Sequence, residues 1–160
     1  MPKKVIVTYR VKRGGAGNGP VWWMLVRKED VEVVGMGSGR RLAVRKDAKP
    51  TWLPRPDGER VYLSRAKGTR IDGEAWVELE EGSFLRVGAV CAGGWRRAEV
   101  KSPLLIVEEG AQWSWGDVDG TRSVEVEVIN ARVATIEDIT EVKLNEEVGC
   151  DSLDSCPHTS

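Results

Sequence analysis

Apolar and polar residues alternate in steps of two along most of this chain, and the alternation is clearest between residues 74 and 100. Successive side chains of an extended strand point to opposite faces, so this period predicts strands with one buried face. Within Glu74 to Leu79, Ala75, Val77 and Leu79 fall on one side and Glu74, Trp76 and Glu78 on the other. Glu80-Glu81-Gly82 supplies a turn with a glycine free to take positive φ, and Leu85, Val87, Ala89 and Cys91 restore the period on the return. The two runs predict a β-hairpin. Ala92-Gly93-Gly94 predicts a second reversal, into a strand from Trp95 to Val100 with Arg96 and Arg97 on opposite faces. A three-stranded meander, apolar on one side, is therefore the expected centre of the fold.

Before it, Val5, Val7, Tyr9 and Val11 predict a strand over Lys3 to Val11. Lys12 to Pro20 carries four glycines and is expected to be a mobile loop. A phosphate-binding role fails there, because no G-x-G-x-x-G opens a helix and the next stretch, VWWMLV, is strand-like. That continuous apolar run predicts a strand buried on both faces, with Trp22 and Trp23 pointing apart. Val31 to Val34 predicts a short strand ended by Gly35-Met36-Gly37-Ser38-Gly39, and Arg40 to Lys46 another, with Leu42 and Val44 inside. Asp47 to Gly58 has three prolines in twelve residues and no period, so an irregular excursion is expected. A short strand at Arg60 to Leu63 and a basic loop from Ser64 to Asp72 follow.

After the meander, Leu104 to Val107 predicts a compact buried strand. Trp113 and Trp115 then share one strand face, as a cover for one end of the core or as a flat platform for sugars or bases. Asp117 and Asp119 have calcium-loop spacing without the remaining oxygen ligands, and read as a turn. Thr121 to Ile129 alternates Val124, Val126 and Val128 against Ser123, Glu125, Glu127 and Ile129. Val133, Ile136, Ile139 and Val142 recur at a spacing of three, which fits a short helix, although their β-branching makes a strand pair a close alternative. The sum is an all-β fold, a single-domain barrel or sandwich of about eight to ten short antiparallel strands over residues 1–148. At most one short helix is expected, within 131–148, and residues 149–160 form a polar tail. An α+β roll with a true C-terminal helix is the alternative.

Composition sharpens this only in part. At 160 residues, 41% of them hydrophobic and 31% charged, the chain suits one globular domain with a core of its own. No apolar run approaches the roughly 18 residues of a membrane helix. The start, MPKKVIVTYRV, has no sustained apolar stretch, so no cleavable signal is expected and the location follows as cytoplasmic or within a particle assembled there. Scarce amides, with Gln112 the only glutamine, lean towards a heat-adapted protein. Net charge is −1, but residues 1 to 70 hold 17 Lys and Arg against 6 Asp and Glu, and residues 71 to 160 hold 7 against 19. Either the halves interleave in one sheet and neutralise each other across strands, or a basic surface is left for a partner.

The only histidine, His158, lies in the tail, so hydrolytic triads have no buried base to use. Cys150, Cys156 and His158, with Cys91 as a fourth ligand, have loose spacing for zinc, and Cys91 reads better as a small core residue. No cofactor or metal is expected. The densest candidate surface is Arg40, Arg41, Arg45, Lys46, Lys49, Trp52 and Arg55, six cations and one aromatic ring within sixteen residues, with Asp47 the only acid. Cations beside an aromatic ring suit a phosphate-bearing or acidic partner. The leading expectation is a non-catalytic assembly or interaction subunit, for example an accessory component of a virus-like particle. Its partners would be copies of itself or another protein with an acidic surface. A nucleic-acid-binding β-barrel is the alternative, and a carbohydrate-binding domain a further one.

Overall fold

The computed structural model describes residues 3–53 and 73–139, most of them in ten strands. In chain order these are β1 (Lys4–Gly14), β2 (Val21–Val26), β3 (Val31–Val34), β4 (Arg41–Val44), β5 (Thr51–Trp52), β6 (Gly73–Glu80), β7 (Phe84–Gly93), β8 (Arg96–Lys101), β9 (Leu105–Asp119) and β10 (Arg122–Val133). Eight of them make one antiparallel sheet in the order β5-β2-β7-β9-β10-β1-β6, with β8 added beside β7. The sheet curls into a half-barrel, and β3 with β4 forms a separate two-stranded sheet. This is the all-β class that the two-residue period predicts.

The period also places the core. Val5, Val7, Tyr9 and Val11 of β1, Leu85, Val87, Ala89 and Cys91 of β7, and Val124, Val126 and Val128 of β10 are all buried in one cluster. Trp22 and Trp23 do point apart, yet both are buried, Trp23 in the main cluster and Trp22 over Gly88, where a Cβ would run into its ring. Tyr9 ties the two sides of the half-barrel together. Its hydroxyl donates to the Gly88 carbonyl at 2.7 Å, its ring lies 5.3 Å from that of Trp23, and burial pushes its phenol well above the ordinary range.

Three expectations are corrected. Glu80-Glu81-Gly82 does reverse the chain, but β6 and β7 do not pair: β6 lies on β1, whereas β7 lies between β2 and β8. The turn residues bond elsewhere, Glu81 N–H to the Lys3 carbonyl at 2.7 Å and Gly82 N–H to that of Val107 at 2.9 Å. Consecutive strands are neighbours in only about two-thirds of cases, and turn chemistry does not say which. Next, residues 12–20 are not a free loop. β1 continues to Gly14, Asn18 exchanges backbone hydrogen bonds with Ala92, and Val90 N–H reaches the Pro20 carbonyl. The glycines serve close approach: a Cβ on Gly17 would lie 2.5 Å from the Ala92 carbonyl oxygen, and one on Gly19 2.7 Å from that of Val90. Finally, Leu104 to Val107 is not a separate short strand but the start of β9, which runs fifteen residues.

β9 holds the sheet together where it splits. It pairs with β7 only at Leu105 and Ile106, after which β8 takes its place along β7 from Gly88 to Gly93. The seam between β8 and β9 is closed by side chains: the Asp119 carboxylate accepts from Arg97 N–H at 3.2 Å and that of Asp117 from Glu99 N–H at 3.0 Å. The aspartates expected only to mark a turn are thus the acceptors for an otherwise unpaired strand edge. Both hairpins at this end use two-residue loops with glycine first, Gly94 at φ +58° and Gly120 at +65°, matching the twist of their strands. Further along, the β9–β10 register shifts at Asn130, whose φ of 70° is rare outside glycine, with Glu108 to Ala111 of β9 bulging opposite it. The Asn130 side chain accepts from Gly110 N–H of β9 and donates to the Ile6 carbonyl of β1, stitching three strands at the bulge.

β10 ends at Val133, and a helix starts at residue 136, within the span expected for one. Thr135 opens it: the Asp138 carboxylate accepts from the Thr135 backbone N–H at 2.6 Å, a capping box read as T-x-x-D in the sequence. Arg132 clamps the same carboxylate at 2.8 and 3.0 Å and reaches Glu108 at 2.9 Å. Ile139 is 1% exposed in a second cluster with Val26, Val31, Phe84, Leu104 and Ile106.

Two measurements test this account. Tyr9→Phe strands the Gly88 carbonyl inside the core and should cost about 1 to 3 kcal/mol in urea unfolding; a loss below about 0.3 kcal/mol would remove the cross-core tie from the argument. Burial pushes the Asp138 carboxyl up, but hydrogen bonds from Arg132 and Thr135 outweigh it and hold it below the ordinary range. A depressed folded value means stability that is present at neutral pH and is lost as pH falls through that value. Asp138→Ala should therefore cost about 1 to 3 kcal/mol at pH 7, with the difference from wild type closing below about pH 4.

Candidate functional site: a basic hairpin

The β3–β4 hairpin carries most of the basic region, and its shape follows from its pattern. Val31, Val33, Leu42 and Val44 form one face and pack on the second cluster, while Glu32, Val34, Arg41 and Ala43 form the other. The connection Gly35-Met36-Gly37-Ser38-Gly39 needs its glycines, since Gly35 and Gly37 sit at φ +90° and +58°. Met36 at the apex is 88% exposed, a large apolar side chain without cover. Flanking glycines were the sequence signal for such an apex, though composition alone did not single it out.

Arg41 and Arg45 share the outer side of β4, and Arg40 and Lys46 lie at its two ends, all four exposed. Arg45 is held within the molecule by Glu32 at 3.7 Å, Asp47 at 3.4 Å and its own backbone N–H on the Asp30 carbonyl at 2.8 Å. Asp30 is buried at the root of the hairpin and is paired with Arg27 at 3.0 Å. Lys49 lies in the connection beyond, also exposed. Trp52 is brought elsewhere: its backbone pairs with Met24 as part of β5 on the edge of the main sheet, and Leu53 follows it into the main core. The structure so separates Trp52 from the hairpin sheet, and Arg55 lies outside the described residues. So do Arg60 to Leu63, Ser64 to Asp72, Cys150, Cys156 and His158.

Part of the opposed charge of the two halves meets by interleaving along β1. Arg10 sits between Glu74 of β6 and Glu127 of β10, Lys3 pairs with Glu109, and Lys12 stands opposite Glu125 in register. Glu127 also accepts from Gln112. Glu127 of β10 thus meets a cation of β1 in the same molecule. Four described cations without an ion pair among the described residues, Arg40, Arg41, Lys46 and Lys49, remain within one stretch of ten residues. A basic face with its near partners used up can bind an anionic surface without first breaking internal pairs.

Two other places carry candidate chemistry. A shallow depression of about 360 Å³ over β1, β10 and β9 is lined by Arg10, Lys12, Ser114, Trp115, Glu125 and Glu127, with Arg10 and Glu127 neutralising each other. Trp113 packs against the main core while Trp115 is 63% exposed, so only one ring is offered to a ligand. Cys91 is a buried free thiol against the Gly14 carbonyl, as a small core residue should be. Among the described residues no group of three or more His, Cys, Asp or Glu is placed to hold a metal ion, and no helix is long and apolar enough to cross a membrane. Comparison with protein-family models, curated proteins and solved structures finds no match to this chain.

The different settings of two neighbouring arginines can be measured. Arg41→Ala should change unfolding free energy by less than about 0.5 kcal/mol. Arg45→Ala, which releases Glu32 and Asp47, should cost more, up to about 1 kcal/mol for exposed pairs, and the gap should shrink in high salt.

Proposed function

We propose that this protein is a non-catalytic interaction subunit that docks through its basic β3–β4 hairpin onto an acidic surface, the role an accessory component of an assembled particle would have. One observation carries the reading. Arg40, Arg41, Lys46 and Lys49 stay exposed and without an ion pair among the described residues, on a hairpin that stands apart from the main sheet, while Arg10 of β1 and Arg96 and Arg97 of β8 are paired within the molecule. The pairing of Glu127 with Arg10 supports it further, since that carboxylate is not held in reserve for the hairpin. The exposed Met36, on the same hairpin as Arg40 and Arg41, adds to the reading, since methionine and arginine are both enriched at protein interfaces.

The test is a double reversal, Arg40→Glu with Arg41→Glu, chosen because neither residue has an ion pair to lose among the described residues. The melting temperature should stay within about 2 °C of wild type, while self-association in sedimentation, or retention on heparin, is lost. Steep salt dependence of polyanion binding without self-association would favour the nucleic-acid-binding alternative. A variant that keeps both its assembly state and its polyanion affinity would sink the docking role altogether.

A further inference from the structure

β6 is an edge strand of eight residues that pairs, among the described residues, only with β1. Long exposed edges invite pairing with another chain, and most proteins blunt them with lysine, proline or a bulge. β6 has none of these; it carries Glu74, Glu78 and Glu80 on its solvent face, with Trp76 between them 64% exposed and Ile6 of β1 beside it 51% exposed. β4 is the complementary object, an edge strand that pairs only with β3 among the described residues and carries arginine at matching intervals. Arg41, Ala43 and Arg45 repeat at the spacing of Glu74, Trp76 and Glu78.

The direction of the free backbone groups selects how the two edges can meet. Arg45 N–H bonds to Asp30 on the β3 side, so by alternation Arg41 and Ala43 also bond towards β3, and Leu42 and Val44 turn their N–H and C=O groups to the open side. On β6, Glu81 N–H bonds to Lys3, so Ala75, Val77 and Leu79 bond towards β1, and Glu74, Trp76, Glu78 and Glu80 address the open edge. Antiparallel addition sets bonded residues directly opposite one another, which would bring the core-facing Leu42 and Val44 onto the solvent face of β6. Parallel addition sets each bonding residue opposite a non-bonding one, and the faces then agree. In that register Arg41 stands beside Glu74, the small Ala43 beside the Trp76 ring, Arg45 beside Glu78, and Leu42 and Val44 beside Ala75 and Val77.

We propose that the acidic partner of the basic hairpin is a second copy of this chain, whose β6 edge receives β4 in parallel, so that copies join head to tail. The inference rests on the hairpin's docking role and names what it docks on. Because hairpin and edge are different surfaces, the contact is heterologous and continues from copy to copy, into a ring if the rotation closes and a filament if it does not.

The experiment uses two variants of the full chain in sedimentation velocity at low salt. Arg40→Glu with Arg41→Glu disables the hairpin and keeps the edge; Trp76→Ala with Glu78→Arg disables the edge and keeps the hairpin. Wild type should form species larger than a dimer, each variant alone should run as a monomer with a near wild-type melting temperature, and the equimolar mixture should give a one-to-one dimer and nothing larger. If the edge variant assembles like wild type while the hairpin variant does not, this inference fails and the hairpin's docking role stands. Two monomeric variants whose mixture forms no dimer, or a wild type that is monomeric but loses heparin retention on hairpin reversal, also overturn it. If both variants assemble as wild type does, the hairpin reading falls with it.

Discussion

A backbone N–H at a strand edge must find an acceptor, and the shape of this chain follows from where β7, β8 and β9 find theirs. β9 can follow β7 for only two residues before the sheet's curl carries them apart, and the gap is filled by β8 on the β7 side. That leaves the far edge of β8 facing β9 out of ladder register. Asp117 and Asp119 close the seam, and the Arg96–Asp119 contact at 3.5 Å holds the two hairpin ends together. Once β9 is fixed there, its long pairing with β10 sets β1, and β1 sets β6, so the outer order of the sheet is a consequence of one side-chain seam.

Within this frame the residues facing inward were legible and the partners of the strands were not. Val5 through Val11, Leu85 through Cys91 and Val124 through Val128 lie inside because a period of two forces them onto one face whichever strand lies beside them. The choice of neighbour is a non-local matter. β6 finds β1 some seventy residues earlier, and no property of Glu80-Glu81-Gly82 could report that. The glycines of residues 14–19 show the same limit: composition reads them as freedom, whereas Ala92 and Val90 press on them and freedom is what they lose. The capping box at Thr135 and Asp138 was in the sequence, and narrows the helix start within the expected span 131–148.

The basic cluster was legible as composition because cations concentrated at one point of a chain survive any fold. Its division was not. Arg45 is tied to Glu32 because antiparallel pairing sets Val31 opposite Val44 and so brings Glu32 near the root of β4, whereas Trp52 is drawn to the main sheet by Met24. Proximity in sequence thus does not set the backbone of Trp52 in the hairpin sheet.

Charge matching depends on shared sheets, and this is why the two basic stretches of the N-terminal half meet different ends. β1 lies between β6 and β10, and where the two ladders overlap, from Thr8 to Val11, an outward cation has a neighbour on both sides, here Glu74 and Glu127 for Arg10. β4 has one strand beside it, and β3 offers a single acid, Glu32. Glu74 and Glu127 are already paired with Arg10 within the main sheet, and among the described residues the hairpin, seated on its own small cluster, has no strand of that sheet alongside it. Among the described residues Arg40, Arg41, Lys46 and Lys49 are unmatched for a topological reason: the second sheet has two described strands, and a two-stranded sheet has an open edge.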